Sequence, residues 1–490
     1  GLVFASELAA LRSYPAFDNS VDHHALSMFL QYGQVPAPLS IYSGIFKLPP
    51  GHLLSISLPY DQTSPQPIYR QWWNLNDLIQ SGYRDPLRTE SDALNLLEST
   101  LREVVADQAI ADVPLGSFLS GGIDSTLITA LLQHMSGSPV RTFTISFEDS
   151  DFNEAPYARD VAAYLGTEHV ESLLTSSTAL ALIPDLPQLY SEPFADSSQL
   201  PTHLVCRQAR YSGLKVALSG DGGDELFGGY NRYLWFTRIK SSFGSIPSPL
   251  RRSLSQALAL IPPTAWNVLG RPLALSQLDH KAAKLVNSLR YIGDADEFYR
   301  SLISEWLNTT HLLQDPANCR FSLTTGLNLP LPDCLDREPV ARMMAWDSLF
   351  YLPDDILTKV DRAAMAVGLE TRAPFLDHRL AAVAWRLPIG MKLRAGTSKW
   401  ALRQILFKYV PRELIERPKT GFAIPIGHWL RGPLRAWADG LLHPDRLQRE
   451  GYLRPLPITQ LWQQHLSGRY DHTAKLWRVL MWQAWLEQWG

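Results

Sequence analysis

The stretch Leu119-Ser120-Gly121-Gly122-Ile123-Asp124-Ser125 decides how this chain is read. An apolar run from Val113 to Leu119 leads into it, and an apolar-periodic segment from Thr126 to Gln133 follows. That order predicts a strand, a glycine turn and a helix N-terminus. Such a turn presents several backbone N–H groups at the positive end of a helix, which suits a phosphate chain. Gly121 and Gly122 let the backbone approach the anion, while Ser120 and Ser125 add hydroxyl donors. Asp124 repels phosphate unless a cation lies between them, so its place points to a Mg²⁺ ligand. The plain alternative is a glycine-rich turn capped by serine and aspartate. The turn lacks the lysine of G-x-x-x-x-G-K-S/T and does not read G-x-G-x-x-G.

Upstream, Leu94, Leu97, Leu101 and Val104 recur at helical spacing, predicting an amphipathic helix over Asp92 to Gln108. Downstream, Val140 to Phe147 reads as a strand, Glu154 to Leu165 as a helix and His169 to Leu173 as a short strand. Lys215 to Leu218 reads as a buried strand that ends in Ser219-Gly220-Asp221-Gly222-Gly223-Asp224-Glu225-Leu226-Phe227-Gly228-Gly229-Tyr230. Strands alternating with helices predict an α/β fold with a doubly wound, mostly parallel sheet. Ligands of such sheets collect at the carboxyl ends of the strands, where Ser120 and Gly220 both fall. Asp124 and Asp224, arriving from different strand ends, are placed to share Mg²⁺ with bound phosphates.

Beyond about residue 235 the pattern turns helical and rich in tryptophan. Trp429, Trp437, Trp462, Trp477, Trp482, Trp485 and Trp489 read as helix packing. Residues 1 to about 60 read as an incomplete unit. It has a strand at Gly1 to Ala5, a short helix at Ser6 to Leu11 and an alternating strand at His52 to Leu58, then a polar linker from Tyr60 to Pro67.

A net charge of -3 over 490 residues gives no electrostatic case for nucleic acid or an anionic membrane. Cys206, Cys319 and Cys334 form no zinc or redox motif, which fits a reducing cytoplasm. No apolar run reaches the length of a membrane span.

The first turn resembles the S-G-G-x-D-S pyrophosphate loop of the N-type ATP pyrophosphatases, whose fold is of the adenine nucleotide α-hydrolase type. The second turn narrows the resemblance: paired with G-E/D-G-x-D-E-x-F-G-G-Y, the chain looks like glutamine-dependent asparagine synthetase and its close relatives. Further segments agree in order. Phe152-Asn153-Glu154-Ala155 follows the strand that carries Ser146, as in the family's adenine-side segment, and Glu192-Pro193-Phe194-Ala195-Asp196-Ser197-Ser198 matches its acidic-proline segment. The run from Leu352-Pro353-Asp354-Asp355 through Lys359-Val360-Asp361-Arg362 to Glu370 and Asp377 is similar to its long helical signature. Arg417-Pro418-Lys419-Thr420-Gly421-Phe422 resembles its late basic loop. Tyr32 to Pro38 and Lys47 to His52 match the join to an N-terminal glutaminase domain.

The resemblance implies two parts: residues 1–75, the end of an Ntn-type class II glutaminase domain with its linker, and residues 76–490, the ATP pyrophosphatase-type synthetase domain with its helical C-terminal part. It implies ATP and Mg²⁺ as cofactors, aspartate and ammonia (or glutamine-derived ammonia) as substrates, and a β-aspartyl-AMP intermediate. It allows a homodimer. Leu119, Ser120, Gly121, Gly122, Asp124, Ser125, Ser146, Ser219 and Gly220 are expected at ATP and pyrophosphate, with Asp124 and Asp224 on the metal. Lys419, supported by Arg417, is expected as a mobile positive charge on the phosphates. Asp221 stands where well-known asparagine synthetases carry a glutamate that orients or deprotonates ammonia. Glu192, Asp354 and Asp355 are expected near substrate, although both aspartates are equally good helix N-caps. Glu370, Arg372 and Asp377 are expected to form a buried ion-pair network. The family's glutaminase nucleophile and glutamine-binding positions have no counterpart in these 490 residues, so the chain as given is not expected to hydrolyse glutamine. Relatives that amidate another carboxylate, such as a sugar acid, a peptide or a β-lactam precursor, share the scaffold. A non-catalytic nucleotide-binding homologue is the remaining alternative.

Overall fold

The computed structural model describes residues 2–57, 67–147, 154–261, 286, 288–316, 330–416 and 424–490. Its centre is a five-stranded, wholly parallel sheet. The strands are β3 (Leu115–Phe118), β4 (Arg141–Phe147), β5 (Glu168–Leu174), β6 (Val216–Leu218) and β7 (Glu370–Arg372), in the order β5-β4-β3-β6-β7. The chain winds outward from β3 in one direction through β4 and β5, then returns to the other side of β3 for β6 and β7. That reversal creates a crevice between the carboxyl ends of β3 and β6. Both glycine turns begin there.

The elements expected from periodicity form with small shifts in their ends. The helix ahead of the first turn is Glu90–Gln108, capped by Thr89, whose hydroxyl accepts from Asp92 N–H. The helix after the turn is Ile123–Met135, and it buries Leu127, Ile128, Leu131 and Leu132. Adjacent residues of β6 point to opposite faces: Ala217 packs into one apolar core, Leu218 into another. The first core joins one sheet face to the C-terminal helices and holds Trp429, Trp462, Trp477, Trp482 and Trp485; Trp437 and Trp489 pack at its margin. The tryptophans therefore pack helices, as their spacing implied.

Residues 2–5 form no strand; they are exposed and irregular ahead of a one-turn helix, Leu8–Leu11. A strand there needs a hydrogen-bonding neighbour, and none lies beside it among the described residues. In the N-terminal part, β1 (His52–Ser55) pairs antiparallel with β2 (Ile68–Gln71) in a two-stranded ribbon. Residues 60–66 of the expected linker lie outside the described residues. Residues 21–42 are clamped to the larger body. Ile41 N–H donates to Glu192 at 2.8 Å, Ala37 N–H donates to Asp354 at 3.1 Å, and Arg478 donates to the Leu30 carbonyl at 2.9 Å.

Pro339 to Met365 forms one continuous helical run with a wide, π-type section over Asp347–Leu357 that contains Pro353. Proline has no N–H to give its preceding turn, and a widened turn accommodates that loss. Asp354 and Asp355 therefore lie inside a helix, and neither caps one. Asp347 is fully buried at the start of this section. Its carboxylate pairs with Arg232 and accepts from the hydroxyls of Tyr233 and Tyr299, the latter at 2.7 Å.

Candidate active site

A cleft of about 390 Å³ opens at the β3/β6 crevice. Leu119, Ser120, Gly121, Gly122, Asp124 and Ser125 line it from the first turn; Ser219, Gly220, Asp221 and Asp224 line it from the second. The first turn is internally braced. Ser120 Oγ and Ser125 Oγ lie 2.9 Å apart, and Gly122 N–H donates to Ser120 Oγ at 3.2 Å. Gly121 has φ +72°, and a Cβ there would sit 2.9 Å from Ala158 N. A side chain is thus excluded by both conformation and space. The two turns touch: a Cβ on Gly220 would lie 2.8 Å from the Asp124 Cβ and from Ser125 N. This close approach sets the two aspartates side by side.

Lys399 occupies the space between those aspartates. Its ammonium is bonded to Asp124 and lies 2.5 Å from Asp224 Oδ1. The lysine side chain is almost wholly buried, and its two carboxylate partners outweigh burial to hold its pKa above the ordinary value. Nothing in the sequence reading singled out Lys399. The one local trace is a lysine at the N-cap of the helix Trp400–Leu406, where a short polar side chain is favoured.

A second charged cluster forms the wall nearest Asp221. Lys359 Nζ donates to Asp196 Oδ2 at 2.6 Å and to Ser198 Oγ at 2.8 Å. Burial alone would raise Asp196, but the Lys359 ammonium and the hydrogen bonds from Asp355, Lys359 and Ser198 bring it down to about 2. Asp355 moves the other way, raised well above its ordinary value by burial and by Asp196 beside it. Asp221 is raised by burial, against the Ser219 hydrogen bond and the nearby Lys359 charge. Lys359, like Lys399, was missed by the sequence reading as a site residue. Its neighbours Asp196 and Ser198 come from a segment far away in the chain.

Glu225 is buried behind Asp224 and accepts from the Tyr230 hydroxyl at 2.6 Å. Burial and the Asp224 charge raise it from 4.5 to about 8. A carboxyl raised in the folded state adds stability below its unfolded pKa and loses it as pH climbs to the folded value. The melting temperature of the wild type should therefore fall relative to that of Glu225→Gln as pH rises from about 4.5 to about 8, then level off. Parallel melting curves across that window would refute the assignment.

The other expected residues divide clearly. Ser146 is buried, does not line the cleft, and hydrogen-bonds Glu171 on the adjacent β5; Thr144 and Ile145 of the same strand line the cleft instead. Glu192 faces the N-terminal segment, where it pairs with Lys47 at 2.6 Å. Asp354 is part of the same joint, raised to about 6 by burial. These two carboxylates hold the N-terminal part rather than line the cleft. Asp355 lies between the cleft wall and a larger neighbouring cavity. Glu370 pairs with Arg372 at 2.6 Å but near solvent, and Asp377 pairs with Arg379 at 2.9 Å, so no single buried network forms. Arg417, Lys419, Phe152, Asn153 and Cys319 lie outside the described residues.

Asp124 and Asp224 converge on the Lys399 ammonium, and two carboxylates aimed at one point are a donor set that would fit a hard divalent cation such as Mg²⁺. Among the described residues no group of three or more metal-binding side chains exists, and no helix is long and apolar enough to cross a membrane.

The family model for asparagine synthase matches residues 96–487, and that for a glutamine amidotransferase domain matches residues 1–73. A Mycobacterium tuberculosis protein named "putative asparagine synthetase, glutamine-hydrolyzing" is 33% identical over 99% of this chain and 71% of its own length. Glutamine-hydrolyzing asparagine synthetase 1 of Bacillus subtilis is 30% identical over 98% of this chain and 71% of its own length. Amidase chry2 of Gibberella zeae is 24% identical over 84% of this chain and 63% of its own length. The paired glycine turns, the parallel sheet that sets them side by side, and these matches over nearly the whole length agree: the chain belongs to the asparagine synthase family, which uses ATP.

Proposed function

We propose that the chain activates the side-chain carboxylate of aspartate with Mg²⁺ and ATP, and that ammonia then displaces AMP to give asparagine. The convergence of Asp124 and Asp224 on a single cation beside the two glycine turns carries this reading. Attack of a carboxylate on the α-phosphorus joins two anions, so charge must be neutralised in place. Ser120, Ser125 and the N–H groups at the start of the helix Ile123–Met135 would bind the departing pyrophosphate. Bound Mg²⁺ would supply further neutralisation at Asp124 and Asp224. Asp221 lies half-buried in the cleft lining with a raised pKa, which suits it to take a proton from the attacking nitrogen. The wall of Lys359, Asp196 and Asp355 carries both signs of charge, which suits an acceptor bearing both an amino and a carboxylate group. In this reading residues 1–75 are the end of a glutaminase domain, 76–490 form the synthetase domain, and glutamine is the nitrogen donor of the full-length enzyme.

A second reading keeps the chemistry and enlarges the acceptor. A cavity of about 1090 Å³ adjoins the cleft and shares Tyr230 and Asn231 with it. That volume slightly exceeds the range typical of pockets for drug-sized ligands, about 300–1,000 Å³. The test is one assay: purified chain with ATP, Mg²⁺, L-aspartate and ammonium, following pyrophosphate, AMP and asparagine. Aspartate-dependent pyrophosphate release with asparagine formed is the expected result. ATP binding without aspartate-dependent release would overturn aspartate as acceptor and favour the larger carboxylate.

A further inference from the structure

The position of Lys399 is built, not incidental. Residue 229 is glycine, and a Cβ there would lie 1.8 Å from Asp224 Oδ1 and 2.1 Å from Lys399 Cε. Lys399 itself is one of three non-glycine residues with positive φ among the described residues, at +54°. The left-handed region disfavours a side chain, so the surrounding structure holds it there. The result is an ammonium seated between the two carboxylates that the proposed function gives to Mg²⁺. One cation and another cannot share that space. The protein offers a metal two carboxylates there, and a tethered ammonium competes at high effective concentration. Phosphate changes the balance, because it brings oxygen ligands for the metal and a new partner for the lysine.

We propose that Lys399 is an exchangeable counter-ion. Without nucleotide it holds Asp124 and Asp224 together; when a divalent cation arrives with a polyphosphate, the cation replaces it and the ammonium passes to phosphate oxygens. No covalent bond is made or broken in this exchange. The site thereby stays charge-compensated at every stage, and a divalent metal is taken up together with its nucleotide rather than ahead of it. The inference rests on the reading of Asp124 and Asp224 as metal ligands.

The test measures Mn²⁺ binding by the loss of its free-ion electron paramagnetic resonance signal, using the full chain and the variant Lys399→Met, with and without α,β-methylene ATP. The Mn²⁺ held by the analogue alone is subtracted by means of a protein-free titration. Without nucleotide, Lys399→Met should bind Mn²⁺ at least about tenfold more tightly than the wild type, because the competitor is gone. With the analogue, the wild type should bind one Mn²⁺ tightly, while Lys399→Met should hold the analogue roughly tenfold more weakly. A merely structural lysine would not raise metal affinity on removal. Equal Mn²⁺ affinity of the two proteins without nucleotide overturns the exchange. So does tight nucleotide-free binding by the wild type alone, a measurement that stands even if the variant does not fold. Failure of the wild type to bind Mn²⁺ in the presence of the analogue overturns the metal reading itself, and the exchange with it.

Discussion

Asp124→Asn should lower aspartate-dependent pyrophosphate release by about 100- to 1000-fold, the scale on which removal of one preorganised electrostatic contact acts on a charged transition state. The substitution keeps shape and removes charge. It takes away one of the two carboxylates set beside the phosphate turn, and Lys399 keeps its other partner, Asp224, at 2.5 Å. The fold should therefore persist, and far-ultraviolet circular dichroism should match that of the wild type. Pyrophosphate release measured over a Mg²⁺ titration separates the two roles open to Asp124. A metal ligand leaves a defect that added Mg²⁺ only partly relieves. Release equal to wild type at every Mg²⁺ concentration would reduce Asp124 to a structural partner of Lys399.

Asp347→Ala should destabilise the protein by about 3–5 kcal/mol, the cost of breaking a buried ion pair by removing one partner. Asp347 is fully buried, and it is the acceptor for Arg232, Tyr233 and Tyr299 together. Its loss leaves a guanidinium and two hydroxyls facing a space that cannot hydrate them fully. Arg232 is also stacked 3.9 Å from the Tyr230 ring centroid, and Tyr230 lines the cleft at the two glycine turns, so under the proposed function the damage should extend to nucleotide affinity. Urea unfolding measures the stability loss. The double variant Arg232→Met with Asp347→Leu should recover much of it, because replacing both charges by apolar groups removes the stranded cation. A single variant as stable as the wild type would mean that Arg232 finds another anion.

The two predictions differ in how legible their residues were. Asp124 announces itself: two glycines, two serines and an acid sit at the boundary between an apolar run and an apolar pattern of helical period, all within seven residues. Asp347 announces nothing, because its partner Arg232 is 115 residues away and no local pattern couples them. Asp354 and Asp355 show a third case. As acids in a turn-like Pro-Asp-Asp sequence they read equally as substrate contacts and as helix N-caps, yet the helix runs through both of them, with a widened section that accommodates the proline.

What the chain determined by itself is the alternation of strand and helix, and with it the parallel sheet and the two glycine turns at its carboxyl edge. Those features depend on backbone conformation and on which face of an element is apolar, both of which are written in neighbouring residues. Tertiary structure alone decided what stands between the turns. Lys399 meets Asp124 across 275 residues of chain, and Lys359 meets Asp196 across 163. Glu192 and Asp354 were likewise turned away from the cleft by contacts with residues 37–47. The physical reason is that a charge finds its partner by distance in space. Buried in low dielectric, each ammonium is fixed by whichever carboxylates the packed sheet and helices bring within hydrogen-bonding reach, and sequence spacing carries no record of that distance.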